Sequence, residues 1–452
     1  MTIPLRLKAG ALVLLVIAGA CASTLPADNA AEGGGDGSGN NIATMSESSL
    51  DEVIGSMDVQ GRTATPEATG EAAEITLRDI PGATPEVIQQ IANSENFWTE
   101  AGGEIGLTYS PLDTDRLFPR SVLETIDPVE CTFGNAPSTL DPEIARFNAF
   151  VAPCQEGLSV VWDDLGLLPR IDARFPEAGV ATLIAHEWGH VAQFQVIANN
   201  PSTILNEQQA DCYAGAFVAW AEDRGVEPFV TPRARDLAII STLETRDRIG
   251  TDPAAASAHG NGFDRVRAVQ EGYEDGASFC AGYAENPPPI TQMAFQNEEQ
   301  LANEGNLPFD QALAVLEPVV ANYFGGLTSE SLDELVTDPK PETLESLHAS
   351  IGDGAIATAF GLNYALALQT ADGDETDGIE PALQRVCWLG TFLNSALTGS
   401  IPLTLSPGDL DETILTLAGS QGVTSNPGLV FEMVAALRVG TVEGPNGCEI
   451  SQ

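Results

Sequence analysis

The stretch Ala185-His186-Glu187-Trp188-Gly189-His190-Val191-Ala192-Gln193 decides how this chain is read. It carries the pattern H-E-x-x-H. Around it, Val180, Leu183, Ile184 and Val191 recur at three- and four-residue spacing, which predicts a helix with an apolar face. On such a helix His186 and His190 stand one turn apart on one side. Two imidazole nitrogens so placed suit a single Zn2+. Glu187, beside the first of them, suits a general base acting on a water at that metal. Histidine is scarce here, with 4 in 452 residues, and half of them lie in this motif.

A catalytic zinc needs a third protein ligand and an open fourth position. Downstream, Leu205-Asn206-Glu207-Gln208-Gln209-Ala210-Asp211-Cys212-Tyr213 predicts a second helix. Glu207 and Asp211 share one side of it, four residues apart. Glu207 is placed to complete a His2Glu site. Asp211 is placed to hydrogen-bond a ligating imidazole and fix its tautomer. Cys212 is also close to Glu207, but as a ligand it is the lesser reading because His2Glu already completes the usual set. Two adjacent helices, one bearing H-E-x-x-H and the other E-x-x-x-D, resemble those of the gluzincin metallopeptidases.

Further segments extend the resemblance. They are His259-Gly260-Asn261-Gly262-Phe263-Asp264-Arg265-Val266, Gly272-Tyr273-Glu274-Asp275-Gly276 and, upstream, Asn96-Phe97-Trp98. With Cys131, Cys154 and Cys280 in order, residues 76–285 resemble the neutral zinc metallopeptidase family of bacteria, in its actinobacterial lipoprotein form. The resemblance implies zinc as cofactor, His186, His190 and Glu207 as its ligands, Glu187 as catalytic base, and a peptide or protein substrate. For His259 two roles stand level: a polarising group that would stabilise an oxyanion opposite the metal, and a structural histidine. His348 has no motif around it and reads as a packing or surface residue.

At the start of the chain, Arg6 and Lys8 precede an apolar run that is too short to span a bilayer but suits a signal peptide. Ala18-Gly19-Ala20-Cys21 closes it like a lipobox. Residues 1–21 therefore read as a lipoprotein-type signal peptide, with lipidation at Cys21 and a membrane anchor on the outer face of the cell. The same Ala18-Gly19-Ala20 also fits an ordinary signal-peptidase site and free secretion. Residues 22–75 are acidic and rich in Gly, Ser and Ala, a composition that reads as a disordered tether.

Export makes the cysteines interpretable. Seven are present, and setting Cys21 aside leaves an even number for an oxidising compartment. Sequence alone allows fifteen connectivities. Chain order and the repeat described next favour Cys131–Cys154, Cys212–Cys280 and Cys387–Cys448. The formal net charge is −46, which argues against nucleic-acid binding and against adhesion to anionic lipid.

Pro287-Pro288-Pro289 marks a boundary, and residues 286–452 echo what precedes them. Ile356 to Gln369 can be laid on Val180 to Gln193, with Leu362, Asn363 and Leu366 falling on His186, Glu187 and His190. Cys387 to Phe392 meets Cys212 to Phe217, and Ala382 falls on Glu207. Pro407 and Asp411 meet Pro232 and Asp236. Gly440, Gly444 and Cys448 meet Gly272, Gly276 and Cys280, and Tyr323-Phe324 meets Phe97-Trp98. Apolar residues cannot hold Zn2+. The expected fold is thus α+β and mostly helical, a zincin-like domain followed by a degenerate, metal-free repeat open to a binding partner. The competing function is a catalytically idle zinc-binding scaffold or partner-binding lipoprotein.

Overall fold

Alternation along two strands sets the sheet between two cores. In the strand Asn148–Cys154, Ala149 and Val151 point into the large helical core, whereas Phe150 and Ala152 point into a smaller one with Phe118, Leu123, Leu140 and Val161. This is the period of two expected of a strand buried on both faces. The computed structural model describes residues 20–22, 76–133, 136–155, 157–176, 178–196, 202–337, 339–421 and 428–448. The signal peptide and tether read at residues 1–75 lie outside these, apart from the backbone of Ala20–Ala22.

The strands are β1 (Ala20–Ala22), β2 (Leu117–Pro119), β3 (Glu130–Phe133), β4 (Ala136–Thr139), β5 (Asn148–Cys154) and β6 (Gly157–Trp162). They form one sheet in the order β2-β6-β5-β3-β4, with β1 against β5. All pairings are antiparallel except β2 with β6. Over Val160–Trp162, β6 is paired on both sides. It is an interior strand there. Cys131 and Cys154 face each other across β3 and β5 and are bonded.

The rest is helical: α1 (Pro85–Ala101), α2 (Arg120–Leu123), α3 (Leu167–Arg174), α4 (Ala178–Val196), α5 (Thr203–Asp223), α6 (Pro232–Glu244) and α7 (Gly262–Ala281). In the second half follow α8 (Glu298–Ala302), α9 (Phe309–Gly325), α10 (Pro341–Ser350), α11 (Asp353–Asp372), α12 (Ile379–Leu397), α13 (Asp409–Gln421) and α14 (Leu429–Glu443). Every residue of α4 from Ala178 to Gln193 is buried, as expected of a helix at the centre of a core. No strand follows β6 among the described residues, so the echo in the second half concerns helices alone. One contiguous apolar core runs through both halves, with Phe217 and Phe392 among its members.

Matched residues make matched contacts. A Cβ on Gly215 would stand 1.9 Å from the Val269 carbonyl oxygen, and one on Gly272 1.7 Å from that of Cys212. In the second half, a Cβ on Gly390 would stand 2.4 Å from the Leu437 oxygen, and one on Gly440 2.0 Å from that of Cys387. Each glycine pair lets two helix backbones touch, and each contact is closed by a disulfide, Cys212–Cys280 or Cys387–Cys448, with Cα atoms 5.6 and 5.7 Å apart. Phe97 packs edge-on against Phe217, and Tyr323 against Phe392. Gly272→Ala and Gly440→Ala are each expected to destabilise by about 3 kcal/mol or more, the upper end of overpacking, because backbone rather than a rotatable side chain is in the way. A urea midpoint within error of the parent for both variants would contradict the close approach.

The halves are also stapled to each other reciprocally. Asp236 on α6 accepts from the backbone N–H of Gly428 and Phe431 at the start of α14, at 2.6 and 2.8 Å. Asp411 on α13 accepts from Gly262 and Phe263 at the start of α7, at 3.0 and 2.9 Å. Each carboxylate thus sits at a helix N-terminus of the other half. Burial pushes Asp236 up to about 7, although its hydrogen bonds to Phe431 and Gly428 pull the other way. A carboxyl whose folded value is raised contributes stability present in full below its unfolded value of about 3.9 and lost as the pH rises through the folded value. Stability should therefore decline between about pH 4 and pH 7, with Asp236 contributing on the order of a few kcal/mol. In Asp236→Asn that decline should be shallower, measured as denaturant midpoints across the range. An identical slope in both proteins would remove Asp236 as its source.

Candidate metal centre

Gly189 lets α4 and α5 approach each other, since a Cβ there would stand 3.1 Å from the Ala210 backbone. The approach brings the two motifs face to face. His186 Nε2 lies 3.3 Å from Glu207 Oε2, and His190 Nε2 lies 3.4 Å from the same oxygen. One ligand atom from each of the three residues falls within 4.8 Å of the others. His186 and His190 are 2 and 3 % exposed, and Glu187 and Glu207 are fully buried.

The surrounding hydrogen bonds fix both tautomers. Gln193 Nε2 donates to the Asn206 carbonyl at 2.8 Å and to Gln209 Oε1 at 2.9 Å, which commits both of its hydrogens. Gln193 Oε1 is then the acceptor, and His190 Nδ1, 2.8 Å away, donates to it. His186 Nδ1 lies 2.7 Å from Asp211 Oδ1. Asp211 is clasped by Arg265 of α7, whose Nε and Nη2 donate at 2.8 Å each. Burial pushes the Asp211 carboxyl up, but Arg265 and His186 outweigh it and hold the group below its ordinary range. An ionised Asp211 only accepts, so His186 Nδ1 donates.

Both Nε2 atoms face the Glu207 carboxylate. Burial pushes Glu207 up, yet the neighbouring His190, His259 and His186 hold it well below the ordinary carboxylate range. A carboxylate and two imidazole nitrogens converging at 3.3 and 3.4 Å are held together either by a proton on an imidazole or by a cation among them. Ligands 2.0–2.2 Å from one tetrahedral centre sit about 3.4 Å apart, so these residues fit zinc.

His259 is buried and tied to Asp247, whose Oδ2 accepts from the His259 backbone N–H at 2.9 Å and whose Oδ1 lies 3.3 Å from Nδ1. Gln292 Nε2 donates to the same Asp247 Oδ2 at 3.0 Å. His259 thus lies close enough to act on Glu207 by its charge, but it stands outside the cluster of three. Cys212 is bonded to Cys280, which corrects the lesser reading of it as a ligand. His348 Nε2 meets the Leu307 carbonyl at 2.7 Å in the second half, far along the chain from this centre.

Three participants were not identified from sequence. The sequence around Arg265 assigns it no role, and Gln193 stands out only by its match to Gln369. Asp247 carried no sequence signal. A weak signal existed for the first two: arginine is scarce in so acidic a chain, and Gln193 stands one helical turn beyond His190. A comparison with known protein families, characterised proteins and solved structures found no match for the chain.

Proposed function

We propose that this chain is an exported zinc metallopeptidase of gluzincin type, with its centre in residues 76–285 and a metal-free zincin-like copy in residues 286–452. One observation carries the proposal: two oriented imidazole nitrogens on the helix that also holds Glu187, and one ionised carboxylate on the next helix, converge at the spacing of a tetrahedral centre. When bound, zinc would supply a Lewis acid that polarises a carbonyl and acidifies water. His186, His190 and Glu207 would hold it. Asp211 and Gln193 keep the imidazoles turned toward it. Glu187 takes the proton of the attacking water and delivers it to the leaving amine. Asp247, itself held by Gln292, positions His259 within electrostatic reach of Glu207, where a charged His259 favours the ionised ligand.

Support for the copy comes from the matched glycines, disulfides and reciprocal aspartates, and from one further pair. Gln369 Nε2 donates to the Pro381 carbonyl and to Gln384 Oε1, as Gln193 does to Asn206 and Gln209, but its Oε1 accepts from Arg385 rather than from a histidine. Leu362 and Ala382 are buried where the first half has His186 and Glu207, while Leu366 is only half-buried. In the proposed copy Leu362, rather than Leu366, would do most to close the vacated centre. Export is supported by the three disulfides, which suit an oxidising compartment. Cys21 would carry the lipid anchor, with free secretion as the other outcome. No helix among the described residues is long and apolar enough to cross a membrane.

The near-complete burial of the centre favours a second reading, a zinc-binding scaffold without turnover. Digestion of a broad peptide library by the full chain, with metal content measured on the same sample, separates the two. Chelator-sensitive cleavage that zinc restores supports the peptidase. Stoichiometric zinc without cleavage supports the scaffold.

A further inference from the structure

The second half carries a group of acids with no counterpart in the first. Asp353 opens α11, while Asp409 and Glu412 lie in the first turn of α13. One carboxylate oxygen from each falls within 4.8 Å of the others. The positions that match Asp409 and Glu412 in the first half are Ala234 and Leu237, both buried and apolar. This cluster therefore belongs to the second half alone.

Its wiring is specific. Asp409 accepts from Ser406 N and Oγ, Glu412 Oε2 from Gly354 N, and Asp353 Oδ2 from Leu307 N. The other oxygen of Asp353, Oδ1, is buried and meets no hydrogen-bond donor, although the residue is only 5 % exposed. Asp353 and Asp409 line a cavity of about 390 Å3, together with Asn306, Ser406 and Gln311. Burial first, and then repulsion within the cluster, pushes Asp409 up to about 7 and Glu412 well above its ordinary range. Burial also raises Asp353, against its hydrogen bond from the Leu307 N–H. Three carboxyls packed so closely need protons or a cation to coexist at neutral pH.

We propose that Asp353, Asp409 and Glu412 form a calcium site at the wall of this cavity. An all-oxygen donor set suits a hard cation rather than zinc. Calcium accepts irregular cages of carboxylates and completes its shell with water, for which the adjoining cavity has room, whereas magnesium demands near-ideal octahedral geometry. The ion would clamp the start of α11 to the start of α13 and to the segment at Leu307. The site is independent of the zinc centre, so either can fail without the other.

The test is calorimetric titration of the zinc-loaded full chain, stripped of calcium, with CaCl2 near neutral pH. One Ca2+ per chain is expected, with Kd of about 10^-4 to 10^-3 M, the range of extracellular modules. Asp353→Asn and Glu412→Gln should each weaken binding on the order of tenfold or more. Calcium should also slow amide exchange at Leu307 and Gly354 in the parent, a readout that needs no variant to fold. Absence of binding at about 10 mM calcium, equal or tighter binding of magnesium, unchanged affinity in both folded variants, or protection confined to other amides would each overturn the site.

Discussion

Glu187→Gln is expected to keep the fold and the metal and to lose peptide hydrolysis by roughly 10^3-fold or more, the range of a lost general base with impaired water activation. Glutamine has the shape of glutamate, so packing at this fully buried position is preserved. It is neutral, so the change removes a buried carboxyl rather than adding a charge, and stability should hold or rise. Glu187 is not among the three clustered ligand atoms, so zinc content should stay at the parent level. The substitution thus isolates proton transfer from metal binding. The measurement is kcat/KM on a peptide identified in the library digest, with zinc content and thermal midpoint from the same preparation. Unchanged turnover, with co-purifying protease excluded by a second purification, would sink the assignment of the base.

The second large effect concerns the ligands. His186→Ala, His190→Ala and Glu207→Ala should each take zinc content close to zero under dialysis against a weak chelator. Each removes one of three donors, and two remaining donors do not make a stable tetrahedral site. Glu207→Ala also removes the only anion in the cluster of three, so the paired imidazoles lose the charge that favours a dication. Asp211→Asn should weaken zinc less, by about 10- to 100-fold, because it disturbs the orientation and basicity of His186 without removing a donor. It also leaves Arg265 buried against a neutral amide, so a drop in thermal stability should accompany the weaker zinc. Zinc retained at parent affinity in Glu207→Ala would mean that the third ligand is another residue.

What could be read from the sequence was what repeats at short range. The helix around His186 and the helix around Glu207 announce themselves by spacing of three and four residues, and the chemistry of their donors is local to those helices. The matched contacts of the second half were legible for a different reason: cysteines and glycines that touch backbone tolerate little change, so their order marks the helix pairs. The network around the centre was not legible. Arg265 reaches Asp211 across 54 residues, and Asp247 reaches His259 through a loop with no periodicity. The reciprocal caps of Asp236 and Asp411 span 192 and 149 residues. Nothing in a linear spacing encodes which helix end a carboxylate will find. The same holds for Asp353 and Glu412, which only folding brings together.

The most direct test of the central claim is an anomalous difference map from crystals of the full chain, collected on both sides of the zinc absorption edge. The account predicts a peak between His186, His190 and Glu207, within about 2.0–2.2 Å of each ligand atom, and no zinc at Leu362, Leu366 and Ala382. A map with no zinc peak at His186, His190 and Glu207, or with zinc bound at a different set of residues, would contradict it.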